Sequence, residues 1–224
     1  MLYLDDNMNV LPYKLIDLVY ADCIYESINF DWIEHYWKYL VEGGIFIVQT
    51  DWHTNWYIRN IFESMYAHGN ATFVNHLVWK NEWGNHPKNR FHQCYDDIII
   101  YCKGNKWNFF PEKIQVEKVT KNTKLNPSGR ETKTATAWID DICLTTTAKE
   151  RIKLPDGHLL RWQKPLKLFD RILAPFLVEG STVADIFMGS GTVGVWCKQN
   201  KMDYIGIENN EEIFNLAKER IENA

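Results

Sequence analysis

The chain is predicted to be an α/β protein, a mixed, mostly parallel sheet with helices on both faces. Three observations carry that reading. Short apolar runs alternate with stretches of helical spacing through the first half of the chain. A glycine-rich turn stands between two further apolar runs near the other end, at residues 189–194. Hydrophobic residues make up 46% of the 224, enough for a large core in one domain with an insertion.

Residues 15–20 read as a strand, apolar except for Asp17, that runs into Ala21, Asp22, Cys23, Ile24 and Tyr25. Trp32, Ile33, Tyr36, Trp37 and Leu40 then recur at helical spacing, with Asp31 as N-cap or first-turn acid and Gly43 and Gly44 as the stop. Residues 45–48 form a buried-type strand and residues 56–65 a second helix. Residues 73–79 and 98–101 are further strands, the last turning at Lys103, Gly104 and Asn105. From 105 to about 161 the pattern degrades, and residues 103–133 hold eight Lys or Arg against three acids. That is a basic insertion or surface loop within a single domain spanning 1–224. Helical spacing returns after Pro165, at Leu166, Leu168, Phe169, Ile172 and Leu173, and again over 213–221.

The formal net charge of −4 excludes a protein that is basic all over, so any nucleic-acid surface is local. Aromatics reach 14%, with ten Trp; most serve as core or loop anchors and some are available to stack on bases. The five cysteines, Cys23, Cys94, Cys102, Cys143 and Cys197, are odd in number and form no CxxC pair. That argues against a disulfide framework and a zinc ribbon, so no metal site is expected and a cytoplasmic location is. No signal peptide is expected at Met1, Leu2, Tyr3, Leu4, Asp5 and Asp6, and no apolar run approaches membrane-spanning length.

The chemistry concentrates in two places. An apolar run, Thr182, Val183 and Ala184, leads into Asp185, Ile186, Phe187, Met188, Gly189, Ser190, Gly191 and Thr192; a helix follows, then a strand at 204–207 closing on Glu208. Strand, glycine turn, helix, strand and acid is the grammar of a nucleotide-cofactor site in a Rossmann-like fold. The glycines permit close approach of a ligand, and the helix start offers unpaired N–H groups. Glu208 is placed to accept both hydroxyls of a ribose. By itself the pattern serves NAD, a nucleotide or S-adenosylmethionine, or forms a structural tight turn. Its late position is unusual, because such a fold ordinarily begins with it. The second place is Asp22 to Tyr25, at the C-terminal edge of a strand, where open sheets bind ligands. An Asp there accepts a hydrogen bond from an exocyclic amine and a Tyr stacks on a base; the plainer reading is a capping Asp beside a packing Tyr.

Taken together these residues resemble the DNA amino-methyltransferases of the permuted, beta-type order. Asp185 to Thr192 is similar to their Asp-Pro-Phe-x-Gly-Ser-Gly-Thr cofactor motif, and Asp22 to Tyr25 to their Asp-Pro-Pro-Tyr catalytic motif. Gln163, Lys164 and Pro165 resemble the end of their His-Pro-x-Gln-Lys-Pro segment, and Asp5, Asp6 and Asn7 their Gly-Asp-Asn stretch. The resemblance covers nearly the whole chain. It implies a circularly permuted Rossmann-like methyltransferase fold with S-adenosylmethionine as cofactor. The cofactor residues would be Asp185, Ile186, Phe187, Gly189, Ser190, Gly191, Thr192, Glu208, Gln163, Lys164 and Pro165, and the catalytic ones Asp22, Cys23, Ile24 and Tyr25. It further implies double-stranded DNA with a flipped-out base as substrate, adenine N6 ahead of cytosine N4, and a homodimer. RNA methylation and a non-catalytic cofactor-binding module are the alternatives. Two departures stand out. Ile186 replaces the first proline of the cofactor motif, and Cys23 and Ile24 replace both prolines of the catalytic one, leaving that loop less rigid. A thiolate role for Cys23 in C5 chemistry is disfavoured by the lack of a partner base. Candidate DNA contacts are Trp83, His86, Lys88 and Arg90, with Lys118, Lys121, Lys124 and Arg130 in the basic insertion.

Overall fold

The computed structural model describes residues 1–23, 29–81, 87–121, 123–143, 151–154, 157–160 and 162–224. In chain order the described strands are β1 (Leu2–Leu4), β2 (Ile16–Asp22), β3 (Leu40–Thr50), β4 (Ala71–Lys80), β5 (Tyr95–Lys103), β6 (Gln115–Glu117), β7 (Thr132–Thr134), β8 (Trp138–Ile139), β9 (Thr182–Asp185) and β10 (Asp203–Glu208). The described α-helices are α1 (Asp31–Trp37), α2 (Trp52–Ala67), α3 (Leu166–Ile172), α4 (Thr192–Gln199) and α5 (Glu211–Glu222). Eight strands form one sheet in the order β1-β10-β9-β2-β3-β5-β4-β8. Only β5 runs against its neighbours there; the other pairings are parallel. This is the mixed, mostly parallel sheet that the alternating runs predict.

Side chains alternate across the sheet, so each strand feeds two cores. Val19 and Ala21, Phe46 and Val48, and Ile99 and Tyr101 pack with Trp32, Ile33, Tyr36 and Trp37 of α1 and Ile58 and Phe62 of α2. Their sequence neighbours Leu18, Tyr20, Ile45, Ile47, Ile98 and Ile100 pack with Leu168, Phe169 and Ile172 of α3 and Val193, Trp196 and Cys197 of α4. Helices therefore cover both faces.

Three expectations change. Helix α1 ends at Trp37, and Gly43 and Gly44 lie inside β3. Lys103 Nζ donates to the carbonyls of Trp37 and Leu40 at 2.9 and 2.8 Å, closing the helix end from another strand. Gly43, at φ +80°, is needed because a Cβ there would stand 2.8 Å from the Lys106 carbonyl oxygen. The basic insertion contains a two-stranded hairpin, β6 with β7, and β8 adds to the main sheet. Residues 2–4 make an edge strand beside β10, although three residues carry too little pattern to announce it.

Candidate active site

Strands β10, β9 and β2 are parallel neighbours, so their C-terminal ends open on one sheet edge. Each ends in an acid: Glu208, Asp185 and Asp22. Both Tyr20 and Gly206 pair with Asp185, which carries Asp22 and Glu208 two residues beyond it on either side. A cavity of about 540 Å³ lies over these three ends.

The turn after β9 is held by backbone and by close packing. Gly189 and Gly191 take positive φ, +49° and +70°. A Cβ on Gly191 would meet Ala217 at 3.0 Å, and one on Gly194 would meet Ile221 at 2.4 Å. Glycine at these positions lets the start of α4 seat against α5. Arg220 of α5 donates to the Ser190 carbonyl at 3.0 Å and to Thr192 Oγ1 at 2.7 Å. Glu208 accepts the Gly189 N–H at 3.0 Å through Oε2 and the Asn210 N–H at 2.9 Å through Oε1. Residues 5–7 fold over the same edge. The Asp5 N–H reaches the Glu208 carbonyl at 3.1 Å, and Asn7 Nδ2 reaches the Ile186 carbonyl at 3.3 Å. Asp185 is fully buried, and burial, followed by the charge of Asp22, pushes its carboxyl up to about 8. The Phe187 N–H at 3.4 Å and the Tyr204 hydroxyl at 3.3 Å offset only part of this.

The end of β2 is held by charge. Lys164 Nζ donates to Asp22 Oδ2 at 2.5 Å, with side-chain exposures of 8% and 22%. Burial alone would lower the Lys164 ammonium, but attraction to Asp22 and Asp96 outweighs it and the group lies above the ordinary lysine range. Behind this pair runs a buried chain. The Tyr20 hydroxyl donates to Gln49 Oε1, Gln49 Nε2 to Asp96 Oδ2 and Asn81 Nδ2 to Asp96 Oδ1, each at 2.7 Å. Gln163 is buried and its Oε1 accepts the Ile152 N–H at 3.0 Å, while Pro165 caps α3 in an extended conformation. Cys23 is buried with its Sγ 3.8 Å from the Gln49 carbonyl, and burial pushes the thiol up to about 12. A thiolate nucleophile is thereby disfavoured.

The cavity thus brings together Asp22, Cys23, Asp185, Glu208, residues 186–190, Thr192 and the Gln163–Lys164 pair, while Gly191 packs against α5 and does not line it. Ile24, Tyr25, Trp83 and His86 lie outside the described residues. Lys88 and Arg90 are exposed ahead of β5, and Lys124 and Arg130 are exposed beyond the β6 end of the hairpin. Lys118 is tied to Asn126 and Ser128 at 3.0 and 3.1 Å, and Lys121 to Glu117 at 2.9 Å. Among the described residues no group of three or more His, Cys, Asp or Glu is placed to hold a metal, and no helix is long and apolar enough to cross a membrane. Asp96, Gln49 and Arg220 were not anticipated, since local pattern marks them only as strand or helix residues.

The glycine turn that arrives after the Asp22 strand is matched, together with that strand, by a model of the DNA methylases of N6/N4 type over residues 19–219. The chain belongs to that family. It is 28% identical over 170 residues to the type II methyltransferase M.HinfI of Haemophilus influenzae, covering 73% of this chain and 44% of that protein. Against the type II methyltransferase M.HpaI of Haemophilus parainfluenzae it is 26% identical over 219 residues, 97% of this chain and 62% of the relative. The chain thus spans less than two thirds of the length of either relative. Among solved structures, M1.HpyAVI in complex with SAM superposes with a TM-score of 0.67 at 22% identity, covering 98% of both chains. The cytosine-N4-specific PvuII DNA methyltransferase gives a TM-score of 0.67 at 15% identity, covering 98% of this chain and 85% of the other. At these identities the likeness establishes the fold, a permuted methyltransferase sheet.

Proposed function

We propose that this DNA methylase family member transfers a methyl group from S-adenosylmethionine to the exocyclic amine of a flipped-out DNA base, adenine N6. The observation that carries this reading is the placement of Asp22 with Gly189, Ser190 and Thr192 of the glycine turn on one cavity. The volume of about 540 Å³ suits a small-molecule cofactor. Its charge selects among cofactors: among the described residues, Asp5, Asp6, Asp22 and Glu208 line it as carboxylates against Lys164, while burial keeps Asp185 protonated at neutral pH. Such a lining opposes the phosphates of a dinucleotide and suits a ligand that carries a sulfonium and an ammonium. Glu208, Asp185 and the backbone of 186–191 would hold that cofactor, which supplies an electrophilic methyl group when bound. Asp22 and the Cys23 carbonyl would accept the two N–H bonds of the target amine and aim its lone pair, while Tyr25 stacks on the base. Because the step is an in-line displacement, alignment and electrostatics supply most of the acceleration. An Asp in place of a Ser at position 22 favours adenine over cytosine through the family resemblance. Lys88, Arg90, Lys124 and Arg130 would contact phosphates, with Trp83 and His86 at the bases.

Incubating the protein with labelled S-adenosylmethionine and unmethylated duplex DNA, followed by nucleoside digestion and mass analysis, tests the reading. Labelled N6-methyladenine is expected, and Asp22→Ala should lower the rate by at least about 100-fold. Label on cytosine N4 overturns the choice of base, label in RNA alone overturns the substrate, and calorimetric cofactor binding without any label overturns the activity.

A further inference from the structure

Lys164 belongs to a segment whose family resemblance groups it with the cofactor, yet its ammonium is spent on a side chain 142 positions away, Asp22. Its surroundings explain how it stays there. The residues on either side are fixed, Gln163 by the Ile152 N–H and Pro165 by the start of α3. Asp96, at the entry of β5, is the second carboxylate attracting the ammonium. Asp96 is itself buried and gripped by two amide donors, Gln49 Nε2 and Asn81 Nδ2. Gln49 is fixed in turn by the Tyr20 hydroxyl. A buried ammonium held by one carboxylate alone would lose its partner whenever that carboxylate turned. Here one of the two is locked in the core, so the ammonium stays in place to hold the other.

We propose that Lys164 is a positioning residue for Asp22: it pins Oδ2, leaving Oδ1 as the oxygen presented to the base amine. The proposal rests on the reading of Asp22 as the acceptor of the target amine. An aspartate has two rotatable bonds and two equivalent oxygens. Pinning one oxygen removes that freedom before the base arrives, which is where alignment acts on rate. The ammonium also keeps the Asp22 charge compensated when the base excludes water from the cavity. Lys164 then acts on turnover and not on cofactor affinity.

The test is a set of variants, Lys164→Met, Lys164→Arg and Asp96→Asn, measured by steady-state kinetics and by cofactor calorimetry, with melting curves as the check of folding. Lys164→Met should lower kcat by about 100-fold while cofactor Kd stays within about threefold, because an interaction used in the transition state is lost and one with the cofactor is not. Lys164→Arg, which keeps charge and most of the volume, should recover at least about fivefold of that loss. Asp96→Asn should lower kcat by about tenfold, again with Kd held. In an Asp22→Ala background, adding Lys164→Met should change kcat by less than about threefold, the non-additivity of residues acting as one unit. A tenfold rise in cofactor Kd with kcat intact makes Lys164 a cofactor ligand and overturns the proposal, as does an equal loss in both backgrounds. If Lys164→Met does not fold, the Lys164→Arg protein decides alone: unchanged kcat with weakened cofactor binding refutes the positioning role. Full activity of Asp22→Ala itself refutes the underlying reading of Asp22 instead, so the two failures are told apart.

Discussion

The ends of β9 and β2 lie side by side on one edge and are built by different means. After β9 the chain turns on glycines, and what holds the turn is contact: Gly191 and Gly194 against α5, Arg220 across Ser190 and Thr192. At the end of β2 a part-buried ion pair, Asp22 with Lys164, is backed by the Tyr20–Gln49–Asp96 chain. The first arrangement is intolerant of added volume, the second of altered charge. This suits a division in which one strand end holds a cofactor in a fixed pose and its neighbour directs an amine toward it.

The largest effect should come from adding volume to the packed end. Gly194→Ala places a Cβ 2.4 Å from Ile221 Cδ1 and 2.7 Å from Tyr204 Cε1. Overpacking of this kind destabilises by about 1–3 kcal/mol, and in a chain of this size each kcal/mol lowers Tm by about 2–4 °C. Calorimetric melting should record that fall together with weakened cofactor binding. An unchanged Tm would mean that the turn is not held by contact with α5. Next in size is Arg220→Met, which removes two hydrogen bonds from one guanidinium. Cofactor Kd should rise about tenfold, equivalent to about 1.4 kcal/mol, with kcat at saturating cofactor unchanged. A fall in kcat with Kd intact would blur the division between the two ends.

The same contrast separates what adjacent residues reveal from what only the fold does. Asp185, Gly189, Gly191, Thr192 and Glu208 announce themselves because a strand, a turn and a helix start are local, and adjacent letters fix them. Asp22 was legible for the same reason, as the polar end of an apolar run. The contact of Lys164 with Asp22 was not, because 142 positions separate them and only the sheet order brings β2 beside the segment that leads to β9. Asp96 and Gln49 were invisible, since a polar residue at a strand end looks like a solvated one until its partners are placed around it. Gly43 and Gly44 misled for a related reason. Glycine after a helical run signals a stop, but Gly43 answers the approach of the Lys106 carbonyl, a neighbour that no local window contains, and Gly44 packs against Leu40 and Val41 of its own strand.

Asp185 joins the two ends electrostatically, and its titration gives a graded test. Burial first, then the charge of Asp22, raise its carboxyl to about 8. The folded protein therefore holds this proton more tightly than the unfolded chain, whose aspartates titrate near about 4. The stability it contributes is full below about pH 4 and is lost as the pH rises through about 8. Asp185→Asn removes the titration. Between about pH 6 and about pH 8.5 the Tm of the parent protein should fall by more than that of the variant, and equal falls would show that Asp185 is not held protonated at neutral pH.

The smallest effect belongs to Cys23, which follows Asp22 at the end of β2, where the motif it resembles has proline. With its thiol pushed up to about 12 by burial, Cys23 stays a thiol at neutral pH and is a poor nucleophile. What Cys23 would offer the proposed reaction is its carbonyl, which any residue at that position supplies. Cys23→Ser should keep activity within about threefold, the modest loss coming from a buried hydroxyl in place of a thiol. Iodoacetamide at neutral pH should label the exposed Cys143 in preference to the buried Cys23, Cys102 and Cys197, without abolishing turnover. A Cys23→Ser protein as inactive as Asp22→Ala would place covalent chemistry at the end of β2, and the contrast between a packed strand end and a charged one would no longer describe how the site works.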